Sequence, residues 1–182
     1  MAIALLLTTA LSLAGFLVAS LQGFALAGGL PAGLAAKALV TRHVGLAIPA
    51  VLLSLFSQSM VIFYFIGTGR LVKNEIERYP EPQRRTILAA LSSFKRRTSP
   101  PATLALASAI AVFVLGGAVH TRFLPPWTHL AAAVAAVALH AWAFLAEWRV
   151  FSENTVLMND PRAYARRASE TAKGAGSGPA AT

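Results

Sequence analysis

The sequence predicts an all-α integral membrane protein, a four-helix bundle with short outer loops and a basic cytoplasmic loop. Three observations carry that expectation. Only 13% of the 182 residues are charged, against about a quarter in a soluble domain. The charges are also segregated, because residues 1–36, 44–69, 98–121 and 123–146 contain no Asp, Glu, Lys or Arg. Finally, none of these stretches alternates with a period of two at the roughly ten-residue length of barrel strands. A hydrocarbon core about 30 Å thick needs about 20 apolar helical residues to cross it. Lipid offers no partner to an unpaired backbone amide, which leaves helices as the spanning structure that fits.

Spans are predicted near 3–28, 44–69, 101–120 and 127–147, making residues 1–150 a transmembrane domain and 151–182 a cytoplasmic tail. Within the first, Ala25-Leu26-Ala27 resembles a signal-cleavage site. The segment nevertheless lacks a basic n-region, and its apolar run exceeds the usual 7–15 residues. It reads as a first span, with cleavage as the alternative. Between the second and third spans, residues 70–97 hold eight basic residues (Arg70, Lys73, Arg78, Arg84, Arg85, Lys95, Arg96, Arg97) against three acids (Glu75, Glu77, Glu81). The positive-inside rule places that loop and both termini in the cytoplasm, the host being expected to be a bacterial inner membrane. The outer loops then carry only Lys37, Arg42 and Arg122.

Inside the basic loop, Leu71, Val72, Ile76 and Tyr79 continue a helical spacing until Pro80 and Pro82, which end helices. A short amphipathic helix over 84–97 follows, with Ile87, Leu88, Leu91 and Phe94 on one face. It is either a grip on anionic lipid or a partner subunit, or a plain connector. Pro100-Pro101 is expected to open the third span, since proline is tolerated in a first turn. Pro125-Pro126-Trp127 closes the second outer loop with an aromatic anchor. Beyond Tyr164 the composition turns to Ala, Gly, Ser and Thr, which predicts disorder after about 165.

Several function classes fall away. The net charge of +9 comes from basic residues next to apolar spans, so it reports topology rather than nucleic-acid binding. The absence of cysteine excludes disulfides, thiolate metal sites and a CxxCH haem attachment. No catalytic triad, paired carboxylates or zinc motif appears, and Gly67-Thr68-Gly69 follows no strand that would make it a phosphate loop.

The informative residues of a membrane protein are its polar ones, which must face protein or water. Helix 2 has a stripe of His43, Ala47, Ala50, Ser54, Ser57, Val61, Tyr64 and Thr68, with Gln58 beside it. Helix 4 has His129, Ala133, Ala136, His140, Ala143 and Glu147, and helix 1 has Thr8, Ser12, Gly15, Ala19 and Gln22. Spacings of three and four put each set on one face, and small residues mixed with hydroxyls pack helices closely. These stripes are the expected bundle interior.

His43, His120 and His129 fall within about a turn of the outer surface on three helices, with Arg42 and Arg122 beside them and no acid on that side. Imidazoles from facing helices could hold a b-type haem or a transition metal, or a quinone, with the arginines contacting propionates or lipid phosphates. The alternative is that interfacial histidines merely cap helices and meet water. His140 lies deeper. It is either packed against a hydroxyl of helix 2, or serves as a second axial ligand or a proton-relay member with Glu147 two turns further on. The expected function is a non-catalytic subunit or accessory factor of a membrane complex, with a haem-, metal- or quinone-binding module as the rival. Its partners would be the lipid bilayer and other membrane subunits, and no nucleic acid.

Overall fold

A computed structural model describes residues 2–28 and 33–176, with side chains to 171. The chain is all α, in five helices: α1 (Ala2–Ala27), α2 (Leu34–Ile76), α3 (Glu81–His120), α4 (Pro126–Asn159) and α5 (Pro161–Gly176). The first four are long and apolar enough to cross a membrane. They pack in a ring, α1 on α2, α2 on α3, α3 on α4 and α4 back on α1, leaving α2 and α4 diagonally opposed with few contacts. Each chain reversal is short, as antiparallel neighbours require.

The helices are longer than the apolar runs that define them. At 1.5 Å per residue, the 43 residues of α2 and the 40 of α3 extend for about 64 and 60 Å, roughly twice a hydrocarbon core. α2 already begins at Leu34, so Lys37 and Arg42 sit on a helix rather than in a loop. The proposed amphipathic helix and third span are one continuous α3, with Pro100 and Pro101 inside it instead of at its start. Those prolines leave the Arg96 and Arg97 carbonyls without helical donors. The buried stripe Ile87, Phe94, Pro101, Ala102, Ala105, Ala109, Val112 nevertheless runs through them at helical spacing. Packing along the whole stripe outweighs the local defect.

That continuity creates a second packed region. The C-terminal part of α2, the N-terminal part of α3, the end of α4 and α5 enclose Val72, Ile76, Ile87, Phe94, Val150, Leu157 and Ala165. The sequence reading had a helical continuation, a short amphipathic helix and a tail here, but not their packing together. Disorder after about 165 is likewise replaced, through 176, by α5; residues 177–182 lie outside the described residues. The local signal was Asp160-Pro161. Asp160 Oδ1 accepts from the Ala163 N–H at 2.9 Å, a side-chain cap followed by proline at the first helical position.

The interior is the expected set of stripes. Ala50, Ser54, Ser57 and Val61 of α2 are buried, as are Ala133, Ala136, His140, Ala143 and Glu147 of α4 and Ser12 and Ala19 of α1. Gly15 lies where an added Cβ would stand 2.9 Å from the Ala50 Cβ, so the α1 backbone packs directly on the Ala50 methyl of α2.

Candidate functional site: a histidine-lined cavity

The bundle is hollow at the end away from the basic loop. A cavity of about 840 Å³ opens between all four long helices, walled by apolar side chains and by His43, His120 and His129. A volume of 300–1,000 Å³ with apolar walls and a few polar groups is typical of a ligand site.

His43 on α2 and His129 on α4 face each other across the bundle diagonal, ring centres 6.2 Å apart and planes at 82°. His43 Nδ1 lies 3.0 Å from the Ala19 carbonyl oxygen of α1. A carbonyl can only accept, so Nδ1 carries the proton and Nε2 is left with a free lone pair. A carbonyl holding one ring nitrogen in this way fixes the orientation of an imidazole whose other nitrogen is free to bind. His129 Nδ1 is buried and has no hydrogen-bond partner. Its ring packs on Gly116 of α3, where an added Cβ would come within 3.1 Å of Cε1, so any other residue there would have to push the ring by a few tenths of an ångström.

His120 takes a different place. It touches the cavity rim, but it ends α3 and is exposed. The line through it includes Phe113, 55% exposed, which shows that this stripe of α3 is turned partly outward. Among the described residues no group of three His, Cys, Asp or Glu side chains could hold a metal ion. Of the three expected histidines, the structure brings His43 and His129 together and leaves His120 exposed at the rim.

Arg42 and Arg122 are both exposed at this end. Arg122 has φ 62°, in the left-handed region that glycine normally fills. It closes α3: Phe123 N–H donates to Ala118 O at 2.9 Å and Arg122 N–H to Val119 O at 3.0 Å. This is a Schellman turn with arginine where glycine is usual.

His140 is fully engaged. Nδ1 donates to the Ala136 carbonyl at 2.7 Å, and Ser54 Oγ lies 2.6 Å from Nε2. With both nitrogens used, it is no axial ligand to the cavity; its partner is the helix 2 hydroxyl. The Phe16 ring, 4.3 Å from that of His140, separates it from the cavity. Sequence reasoning missed the cavity itself. Gly23, Gly116 and Gly117 on its wall were the available signal, since glycines near histidines at one depth leave space that larger residues would fill.

Comparisons of the chain with protein-family models, with curated proteins and with solved structures give no match.

Proposed function

We propose that the protein is a four-span membrane subunit that holds one b-type haem between His43 and His129. It would transfer electrons within a larger membrane assembly and carry no catalytic centre of its own. The observation that carries this reading is the opposed histidine pair. The two imidazoles face each other across the bundle with ring centres 6.2 Å apart, so one group bound between them could be held from both sides.

The donor set suits haem better than a bare ion. Two imidazoles are too few to hold a bare metal ion, whereas haem is held by one or two protein ligands, so His43 and His129 would suffice for it. The large apolar cavity suits the ring. His43 would be held by its bond to Ala19 and His129 by its seat on Gly116. Arg42 and Arg122 are cations at that end that could meet propionates, and an arginine in a left-handed turn where glycine would be easier supports such a role. When bound, the haem iron supplies one-electron chemistry between its ferric and ferrous states.

Four spans are supported by helix length and apolarity. Orientation with both termini and residues 70–97 in the cytoplasm is supported by the eight-to-three charge bias of that segment. In a chain without cysteine, Ser92→Cys and Thr121→Cys report sidedness directly. An impermeant thiol reagent on intact cells should label Thr121→Cys alone, and the reverse pattern would invert the topology.

The haem is tested by absorbance of the protein purified from haem-replete cells. A Soret band that shifts on reduction is expected, lost in His43→Ala and in His129→Ala and retained in His120→Ala. Wild-type protein without that band, even after added hemin, would sink the reading. A quinone extracted from the same preparation would then name the alternative occupant.

A further inference from the structure

Below the cavity, toward the basic end, lies a second polar region that the haem reading does not use. Glu147 of α4 is wholly buried, and beside it stand the side chains of Gln58 of α2 and Thr9 of α1. Both Glu147 carboxyl oxygens, Gln58 Oε1 and Ser12 Oγ are buried without hydrogen-bond partners. No ion pair reaches Glu147; the ion pairs among the described residues lie at the basic end. Ser57 and the Ser54–His140 bond continue the polar region toward the cavity.

Apolar clusters close this region on both sides. Toward the cavity stand Phe16, Val51, Ala109, Val112 and Ala136. Toward the basic end stand Leu5, Val61 and Phe151, with Tyr64 and Phe65 against them. Beyond that second closure Asn154 Nδ2 donates to the Tyr64 hydroxyl at 3.1 Å, and Asn154 Oδ1 is again unpartnered. His140, Glu147 and Asn154 recur every seven residues, so they form one line along α4, each about 10 Å from the next.

An ionisable side chain deep in a membrane bundle and without a counter-ion is costly, and its usual reason is function. Every neighbour identified here offers oxygen or amide groups, and none offers a cation. We propose that Glu147 is the proton-binding group of a gated proton path running through the bundle, with the Phe16 and Phe151 clusters as its two closures. The carboxylate takes up one proton from one side to become a neutral carboxyl beside Gln58 and Thr9. It releases that proton to the other side when the opposite closure admits water. No electron moves in this step. Apolar constrictions of this kind gate by excluding water. The titratable groups in the same buried region are His140 on the same helix and Tyr64 on α2. α1 contributes none, and the buried residues of α3 between its prolines and the cavity are Ala102, Ala105, Ala109 and Val112.

The inference rests on the four-span reading but not on the haem. The full chain is reconstituted into vesicles enclosing a pH-sensitive dye, and proton entry is driven by a potassium diffusion potential. Flotation with the lipid confirms insertion first, so a failed flux is not confused with a failed span. Wild-type vesicles should acidify several-fold faster than protein-free ones. Glu147→Gln should return the rate to that of bare lipid, and Glu147→Asp should keep part of it. A dicyclohexylcarbodiimide adduct on Glu147, found by mass spectrometry of the wild-type chain, supplies a readout that needs no variant, because this apolar reagent attacks protonated carboxyls. Wild-type flux no faster than bare lipid, an unchanged rate in Glu147→Gln, or no adduct would each overturn the proposal. A Glu147-dependent flux of sodium in place of protons would overturn the choice of ion.

Discussion

The two ends of the bundle are built to opposite specifications. At the histidine end the helices stand apart around about 840 Å³ of space, and the side chains that matter are half-buried or exposed. At the basic end the same helices, joined by α5, close on Ile76, Ile87, Phe94, Val150 and Leu157, each at most 2% exposed. A dense interior gains dispersion contacts that a hollow one forgoes. The contrast teaches that the end suited to holding a ligand is not the end that holds the fold, a separation expected where a site needs space that packing would fill. Substitutions at the two ends should therefore separate stability from binding.

The sharpest test pairs Phe94→Ala with His43→Ala. Removing a fully buried ring costs about 3–5 kcal/mol, so Phe94→Ala should lower the detergent unfolding midpoint strongly while the surviving folded protein keeps its haem band. His43→Ala should lose the band while costing only about 0.5–1.5 kcal/mol, the worth of its hydrogen bond to Ala19. Equal destabilisation by both would erase the distinction between the ends.

Between the ends, Ser54→Leu takes the hydroxyl from His140 Nε2 and forces extra volume onto a position with no exposed surface. A loss of about 1–3 kcal/mol follows from overpacking alone, read as a lower thermal midpoint in detergent. Indifference to this change would show that the helix 2 stripe is not interior.

Arg122→Gly should act in opposite directions on the two properties. Relieving a left-handed arginine stabilises the α3 turn by about 1 kcal/mol, while removing a cation from the cavity end weakens retention of an anionic cofactor. Thermal midpoint and haem occupancy, measured on one sample, check both signs. The smallest effect belongs to the basic end. Arg97 and Glu153 form a two-pronged pair at 2.7 Å, but both are about two-fifths exposed, so Glu153→Gln should cost only about 0.2–1 kcal/mol and less in high salt.

The sequence by itself determined the number and class of the long helices and the interior faces of α1, α2 and α4. Charge-free runs of membrane length and a 3.6-residue stripe of small and hydroxyl residues are local patterns, readable one helix at a time. Ser54, His140 and Glu147 could be assigned inward for that reason. Only the tertiary structure decided what depends on several helices at once. Whether α3 continues through Pro100-Pro101 turned on packing along a stripe shared with α2, α4 and α5. The rotation that takes His120 to the rim while leaving His43 opposite His129 was set by how α3 seats on α4. The cavity, the closures around Glu147 and the packed basic end are likewise spaces between helices, and the spacing of residues along one chain segment carries no measure of the distance to another.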